Sequence, residues 1–358
     1  MTRRVLGSMT GTSCDALDIA VVEVEGEGKM LTPRYVKGQT FPLGELGEQL
    51  RRCAAGESVT VELLSTLCRD FSELHVEAVR AMGDDHWDLF SVHGQTLYHA
   101  PPLSWQMIDL SWIGTRLHCP VIGDLRGADV ASGGQGAPIT PLADAYFYGS
   151  LTQSRCVVNI GGFCNITVLP AGNEISGIEG YDLCAANQLM DLLARKVLNQ
   201  PFDPSGKNAL SGTPRSEWVE YWQARLQKQF RPGVSLGQKD LPDNDWCCID
   251  GPAEDLLASA CEALARCIAQ ALQHHKTQRV LVGGGGWCNH ALRQALHRHI
   301  SVPVESCDPW GPPGEFREAA SLALLGVLAH DGVPITLPRV TGSPTIVRSG
   351  LLFDPHIP

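Results

Sequence analysis

The feature that most restricts how this chain can fold occurs twice: a β-forming run, a tight glycine-rich turn, and a second β-forming run. In the first copy, Val5–Thr10 leads into Gly11-Thr12-Ser13-Cys14-Asp15, and strand character resumes over Ile19–Val24. In the second, Cys156–Val158 leads into Asn159-Ile160-Gly161-Gly162-Phe163-Cys164-Asn165, and Ile166–Leu169 follows. Each reads as a hairpin whose turn exposes backbone N–H groups. Glycine lets the backbone approach a ligand closely and neighbouring hydroxyls add donors, so such turns suit phosphate oxygens. One Gly-rich hairpin is usually only a hairpin. The pair is more specific when joined by Arg279–Val282, a strand running into Gly283-Gly284-Gly285-Gly286-Trp287-Cys288-Asn289 and an apparent helix. Strand character returns at Asp18-Ile19-Ala20, which argues against a Walker-type loop or a dinucleotide fingerprint. The three segments point to a nucleotide held between two halves.

A chain of 358 residues can bury a large core and ordinarily makes two domains. A formal charge of -11 argues against nucleic acid as a partner, since duplex binding relies on Lys and Arg. No secretory pattern and no run of roughly 20 apolar residues is present, so the expected location is cytoplasmic and no membrane partner is expected. Thirteen cysteines, many in apolar runs such as Ala260-Cys261 and Arg266-Cys267-Ile268, read as buried free thiols in a reducing compartment. With no C-x-x-C pair and Cys247-Cys248 adjacent, zinc is not expected.

Apolar spacing predicts a long amphipathic helix over Val59–Met82. A buried strand over Trp87–Val92 follows, ending at His93-Gly94-Gln95-Thr96, and a short one over Pro120–Gly123 ends at Asp124-Leu125-Arg126. Ligands of open α/β sheets bind at such strand ends. Ala128–Pro141 reads as a crossing loop. The second half repeats the plan: the hairpin at 155–169, a helix over Ala186–Leu198, a polar irregular stretch at 199–245, a helix over Ala253–His274, the strand at 279–282 and a helix over Gly314–Leu328. The expected fold is α/β with two domains, 1–148 plus 336–358 and 149–335, related by an old duplication with a cleft between them.

This arrangement resembles the actin, sugar kinase and Hsp70 superfamily, with its two-domain, actin-like (ribonuclease H-like) ATPase fold. Within it, the chain resembles the anhydro-N-acetylmuramic acid kinase family. The matching segments are Gly11-Thr12-Ser13-Cys14-Asp15-Ala16-Leu17-Asp18, His93-Gly94-Gln95-Thr96, Asp124-Leu125-Arg126-Gly127-Ala128-Asp129 and Gly133-Gly134-Gln135-Gly136-Ala137-Pro138. Asn159-Ile160-Gly161-Gly162, Gly284-Gly285-Gly286-Trp287-Cys288-Asn289, Glu318-Ala319 and Leu337-Pro338-Arg339-Val340-Thr341-Gly342 complete them. The resemblance implies a kinase that opens a 1,6-anhydro sugar with water and passes the γ-phosphate of ATP to O6. It assigns the general base to Asp182, in Gly180-Tyr181-Asp182-Leu183-Cys184-Ala185-Ala186-Asn187. ATP contacts fall on Gly11, Thr12, Ser13, Asp15, Asn159, Gly161, Gly162, Gly284, Gly285, Gly286 and Asn289. Sugar contacts fall on His93, Gln95, Asp124, Arg126 and Asp129, and Mg²⁺ on Asp15 and Glu318. Glu318 reads equally as a solvated helix residue, Asp124, Arg126 and Asp129 as a surface ion pair, and His93 as a ring satisfying a carbonyl. A homodimer is also implied.

The chain departs from the family where Leu183-Cys184-Ala185 replaces Thr-Gly-Pro, a change expected to narrow a Gly-lined approach. A Lys-bearing loop is matched only loosely by Arg231–Lys239, and Asp144 stands where a His is usual. These departures leave two alternatives: a kinase of another anhydro sugar such as levoglucosan, or a non-catalytic ATP-binding protein acting through a partner. A chaperone-type ATPase is disfavoured, because the chain has no separate peptide-binding domain.

Overall fold

The computed structural model describes residues 2–83, 86–172 and 174–357. The chain divides into two compact units, one of Met1–Phe147 with Phe316–Pro358 and one of Tyr148–Glu315.

In the first unit, β1 (Thr2–Thr10) and β2 (Ala16–Glu25) form the expected hairpin, and β3 (Thr32–Pro42) adds antiparallel to β2. On its other side β1 takes β4 (Leu89–Val92) in parallel. A separate hairpin follows, β5 (Gln95–Ala100) with β6 (Leu103–Met107), and β7 (Val121–Gly123) then pairs parallel to β4. In the second unit β8 (Arg155–Ile160), β9 (Phe163–Leu169) and β10 (Glu179–Ala185) are antiparallel neighbours. Beyond β8, β11 (Arg279–Gly283) and β12 (Val304–Ser306) are parallel. β13 (Leu351–Phe353) closes the first sheet against β7.

The order β3-β2-β1-β4-β7 in one sheet therefore repeats as β10-β9-β8-β11-β12 in the other, with the same strand senses. That is the actin-like, ribonuclease H-like plan built twice. Its physical origin is legible in burial. The parallel strand β4 is buried at all its positions, as a strand covered on both faces must be. The hairpin strands around it keep exposed residues at their outer ends.

Three expectations are corrected. The stretch at 199–245 is not irregular throughout: a helix occupies Ser216–Gln229, with Val219, Trp222 and Leu226 on one face and Trp222 fully buried in the second core. Charged and amide side chains fill most of its remaining positions, which hid the apolar stripe. The segment after Gly123 opens with a short helix, Gly127–Ala131, before the loop begins. The helix found at Arg317–His330, expected in the second domain, belongs to the first unit. It crosses the first sheet so closely that a Cβ on Gly7 would lie 2.0 Å from the Ala319 carbonyl oxygen, and one on Gly326 2.4 Å from Ser91 Cβ. Only glycine fits at those crossings.

All thirteen cysteines are free thiols. Among the described residues no helix is long and apolar enough to cross a membrane. Replacement of Gly7 by alanine forces the helix off β1 and should lower the unfolding free energy by about 2 kcal/mol or more, read from denaturant melts.

Candidate active site

In the first unit, the three parallel strands β1, β4 and β7 end side by side, and the segments singled out in the sequence follow those ends. After β1, the turn Gly11–Asp15 closes through the Cys14 N–H donating to the Gly11 carbonyl at 3.1 Å. Cys14 sits at φ +52° with its thiol buried, and burial pushes that thiol up to about 11. Thr12, Ser13 and Asp15 stand exposed around it. The turn is backed by the helix Gly44–Ala54, from which Arg51 donates to the Ser13 carbonyl (2.9 Å) and to Asp15 Oδ1 (3.2 Å). The Asp15 carboxylate remains 72% exposed.

After β4, His93 is buried. Arg126 Nε donates to His93 Nε2 at 3.0 Å, and arginine is only a donor, so Nε2 is the lone-pair nitrogen. His93 Nδ1 therefore carries the proton and donates to the Gly94 carbonyl at 2.8 Å. Burial, reinforced by the Arg126 charge, lowers His93 to about 3. Arg126 also donates to the Gly136 carbonyl. His99, hydrogen-bonded to Ser104 Oγ at 2.9 Å on the β5–β6 hairpin, is lowered to about 4 by burial and then by Arg126. Gln95 is buried, with its amide nitrogen donating to the Thr96 carbonyl.

Asp124 and Asp129 play different parts. Asp124 is exposed at φ +49°, and its carboxylate accepts from the Gly127 N–H at the start of the short helix. Asp129 is fully buried: Oδ2 accepts from Gly136 N–H and Oδ1 from the Thr341 hydroxyl, both at 2.8 Å. Its carboxylate holds the Gly133–Gly136 loop against the C-terminal segment.

Glu318 is the half-buried second residue of the crossing helix. Its neighbour Arg317 makes a two-pronged ion pair with Asp144, Nε to Oδ1 at 2.9 Å, with both side chains at most 1% exposed, and also donates to Thr140. The aspartate at the place of a usual histidine is thus the partner of an arginine. No reading of the sequence joined these two residues.

In the second unit, the pairing of Asn159 with Gly283 sets the β8 and β11 ends side by side. Asn187 locks them. Its N–H donates to the Gly161 carbonyl at 3.0 Å and the Ala186 N–H donates to that of Gly162 at 2.8 Å. A Cβ on Gly286 would lie 2.2 Å from Ile160 Cγ2, and one on Gly284, at φ +82°, 2.7 Å from the Ile160 carbonyl oxygen. The structure therefore brings Asn159, Gly161, Gly162, Gly284 and Gly286 together, with Gly285 exposed beside them. Asn289 caps the next helix, its side-chain oxygen accepting from Leu292 N–H at 3.1 Å, while its amide faces the sulfurs of Cys261 and Met190. Sequence reasoning missed the turn packed on it: a Cβ on Gly206 would lie 2.0 Å from Asn289 Oδ1. That turn is built by Asp203, which accepts from Asn208 and Ala209 N–H groups, and its Asp-Pro-Ser-Gly composition was the available signal.

Asp182 lies on β10 opposite Asn165 of β9, and the register slips between Asp182 and Cys184. Bulges of this kind re-aim a side chain at the edge of a site. Asp182 is half-buried, and its Oδ2 accepts the Leu236 N–H at 2.9 Å. Leu183, Cys184 and Ala185 all enter the second core. The expected narrowing of an approach by Leu183 and Cys184 is therefore corrected, because both side chains point inward.

Three histidines of the first unit, His93, His99 and His75, are held below the unfolded value of about 6.5, His75 at about 4 through burial. A depressed histidine stabilises the fold fully above pH 6.5, and that contribution drains away as pH falls toward its folded value. Stability should therefore decline between pH 6.5 and 4. A His75→Gln variant should make the slope shallower by up to about 1.4 kcal/mol per pH unit in denaturant melts.

The family model described as anhydro-N-acetylmuramic acid kinase matches residues 3–230 and 238–355. The anhydro-N-acetylmuramic acid kinase of Picosynechococcus sp. is 31% identical over 382 aligned residues, covering 99% of this chain and 100% of the relative. That of Synechococcus sp. (strain CC9605) is 32% identical, covering 98% and 99%. Among solved structures, component A of (R)-2-hydroxyglutaryl-CoA dehydratase from Acidaminococcus fermentans aligns over 91% of this chain and 98% of its own, at 14% identity and a TM-score of 0.46. The sequence matches alone carry the assignment: spanning both units nearly end to end, they show that the chain belongs to the anhydro-N-acetylmuramic acid kinase family.

Proposed function

We propose that this protein is an ATP-dependent kinase that hydrolyses the internal bond of 1,6-anhydro-N-acetylmuramic acid and phosphorylates O6, giving N-acetylmuramic acid 6-phosphate in peptidoglycan recycling. The observation that carries the reading is the Asp182 carboxylate, kept on a bulged strand within a chain that matches the family nearly end to end. Asp182 takes a proton from water as the water oxygen bonds to the anomeric carbon. The C1–O6 bond breaks, its electron pair passes to O6, and O6 attacks the γ-phosphorus as ADP leaves.

The turns Gly11–Ser13 and Asn159–Gly162 supply donors for the phosphates, and Gly284–Gly286 with the backbone at Asn289 accepts the nucleoside. Because the Asn289 side chain caps a helix, its part is to hold that loop. On the sugar side Asp124 offers an exposed carboxylate, while Asp129 supports the loop beside Arg126. His93, whose lone pair is taken by Arg126, orients that guanidinium. The exposed Asp15 carboxylate fits a hydrated Mg²⁺, which keeps several waters and needs only one or two carboxylates, and Glu318 is the second candidate. Mg²⁺ would neutralise charge on the transferring phosphoryl group. The active form is taken to be a homodimer.

A non-catalytic role loses its main motive, because Leu183–Ala185 pack in the core and leave Asp182 in place. Sugar preference separates the remaining readings. ADP release with Mg-ATP should occur with 1,6-anhydro-N-acetylmuramic acid and not with open-ring N-acetylmuramic acid; faster turnover of levoglucosan would reassign the substrate. Asp182→Asn should lower kcat at least about 100-fold with ATP binding preserved, and full turnover by this variant would falsify the assigned base. Asp15→Asn should raise the Mg²⁺ concentration needed for half-maximal rate, measured by Mg²⁺ titration at fixed ATP.

A further inference from the structure

Residues 231–237, between the two segments that match the family, begin a loop with internal order of its own. Arg231–Asp240 closes on itself through two turns. The Val234 N–H donates to the Arg231 carbonyl at 3.1 Å, and the Asp240 N–H to the Gly237 carbonyl at 2.9 Å. The Asp240 carboxylate, 7% exposed, accepts from the Gly237 N–H at 3.0 Å and pairs with Arg231. Between the two turns lie Ser235 and Leu236, both buried. The Leu236 N–H is the one that reaches Asp182 Oδ2.

The loop is also tied to the strand that carries Asp182. Gln229, buried at the end of its helix, accepts from the Ala185 N–H at 2.7 Å through Oε1 and donates to the Asp240 carbonyl at 2.6 Å through Nε2. The connections form a ring: Asp182 to Leu236, along the loop to Asp240, through Gln229 to Ala185, and back along β10. Here a backbone donor, which has no rotamer of its own, fixes one oxygen, and a charge-assisted bond of this kind is among the stronger ones. The donor is a backbone N–H, so substitutions along the loop leave it intact unless they introduce proline or break the turns.

We propose that the Arg231–Asp240 loop is a latch that orients the Asp182 carboxylate through the Leu236 N–H, with Asp240 and Gln229 as positioning residues. The inference rests on the reading of Asp182 as the base. Leu236→Pro removes the donor and keeps an apolar side chain; Leu236→Ala keeps the donor and trims the side chain. The latch requires Leu236→Pro to lose about tenfold in kcat while KM for sugar and ATP stays within about twofold, and Leu236→Ala to stay near wild type. Asp240→Ala, which releases the loop and leaves the Leu236 N–H in place, should reproduce the kcat loss, and it decides the matter if the proline variant does not fold.

In an Asp182→Asn background, Leu236→Pro should cost nothing further, since a positioning bond has value only through the group it positions. Equal kcat in Leu236→Pro, or in Asp240→Ala where that variant decides, overturns the latch and leaves the base assignment standing. Additive losses in the double variant, or KM rising in step with a kcat loss, overturn it too. Full turnover by Asp182→Asn removes the base and the latch together, and its signature is distinct because it appears in the single variant.

Discussion

The first unit is organised around a charge pair that water does not reach. Asp144 and Arg317, at most 1% exposed, meet in two-pronged geometry at the start of the crossing helix. Two ions taken out of water repay their desolvation only when their geometry is good, and losing one partner leaves a buried charge at a cost of about 3–5 kcal/mol. Thr140 takes a further guanidinium bond. The pair therefore fixes where the helix begins, and with it the height of Glu318 over β1. At the far end of the same helix Asp331 accepts from Arg3 and from the Gly28 N–H, so the helix is pinned at both ends by residues far away in the chain. Gly7 and Gly326 then let it lie directly on the strands.

The duplicated sheet shows how one plan is put to two uses. In both units the central strand is flanked by a hairpin partner on one side and a parallel strand on the other, so the first turn always emerges beside parallel strand ends. In the first unit those ends carry His93, Asp124 and Arg126. In the second they carry the glycines of the β11 loop, while the outer antiparallel strand bulges at Asp182. Both outer pairings have a register slip, at Val21 in one and after Asp182 in the other, but only the second puts a carboxylate there.

Much of this was legible in the sequence because it is written locally. The two hairpins, the long helix Val61–Ala81 and the helix Ala253–Leu272 follow from alternation and helical spacing. What was missed depends on tertiary partners. β10 drew no strand expectation because Glu179, Gly180 and Asp182 have poor strand propensity, and its pairing with β9 makes it one. The helix Ser216–Gln229 is mostly polar outside one stripe. The membership of Arg317–His330 in the first unit is set by Gly7 and Asp144, far away in sequence. Among site residues, the Gly-rich turns announced themselves by composition, whereas Asp182 was found only by resemblance. The buried work of Asp129 and the capping by Asn289 are consequences of packing that no spacing reveals.

The discontinuous first unit has a consequence for synthesis. The second unit is a single stretch, Tyr148–Glu315, whereas the first needs residues from both sides of it. As the chain leaves the ribosome, β1 emerges early with Gly7 bare, and its covering helix arrives only after the whole second unit has been made. The unit that begins last is therefore the first that can finish, and the apolar face of the first sheet waits, open to misassociation, until Arg317 finds Asp144.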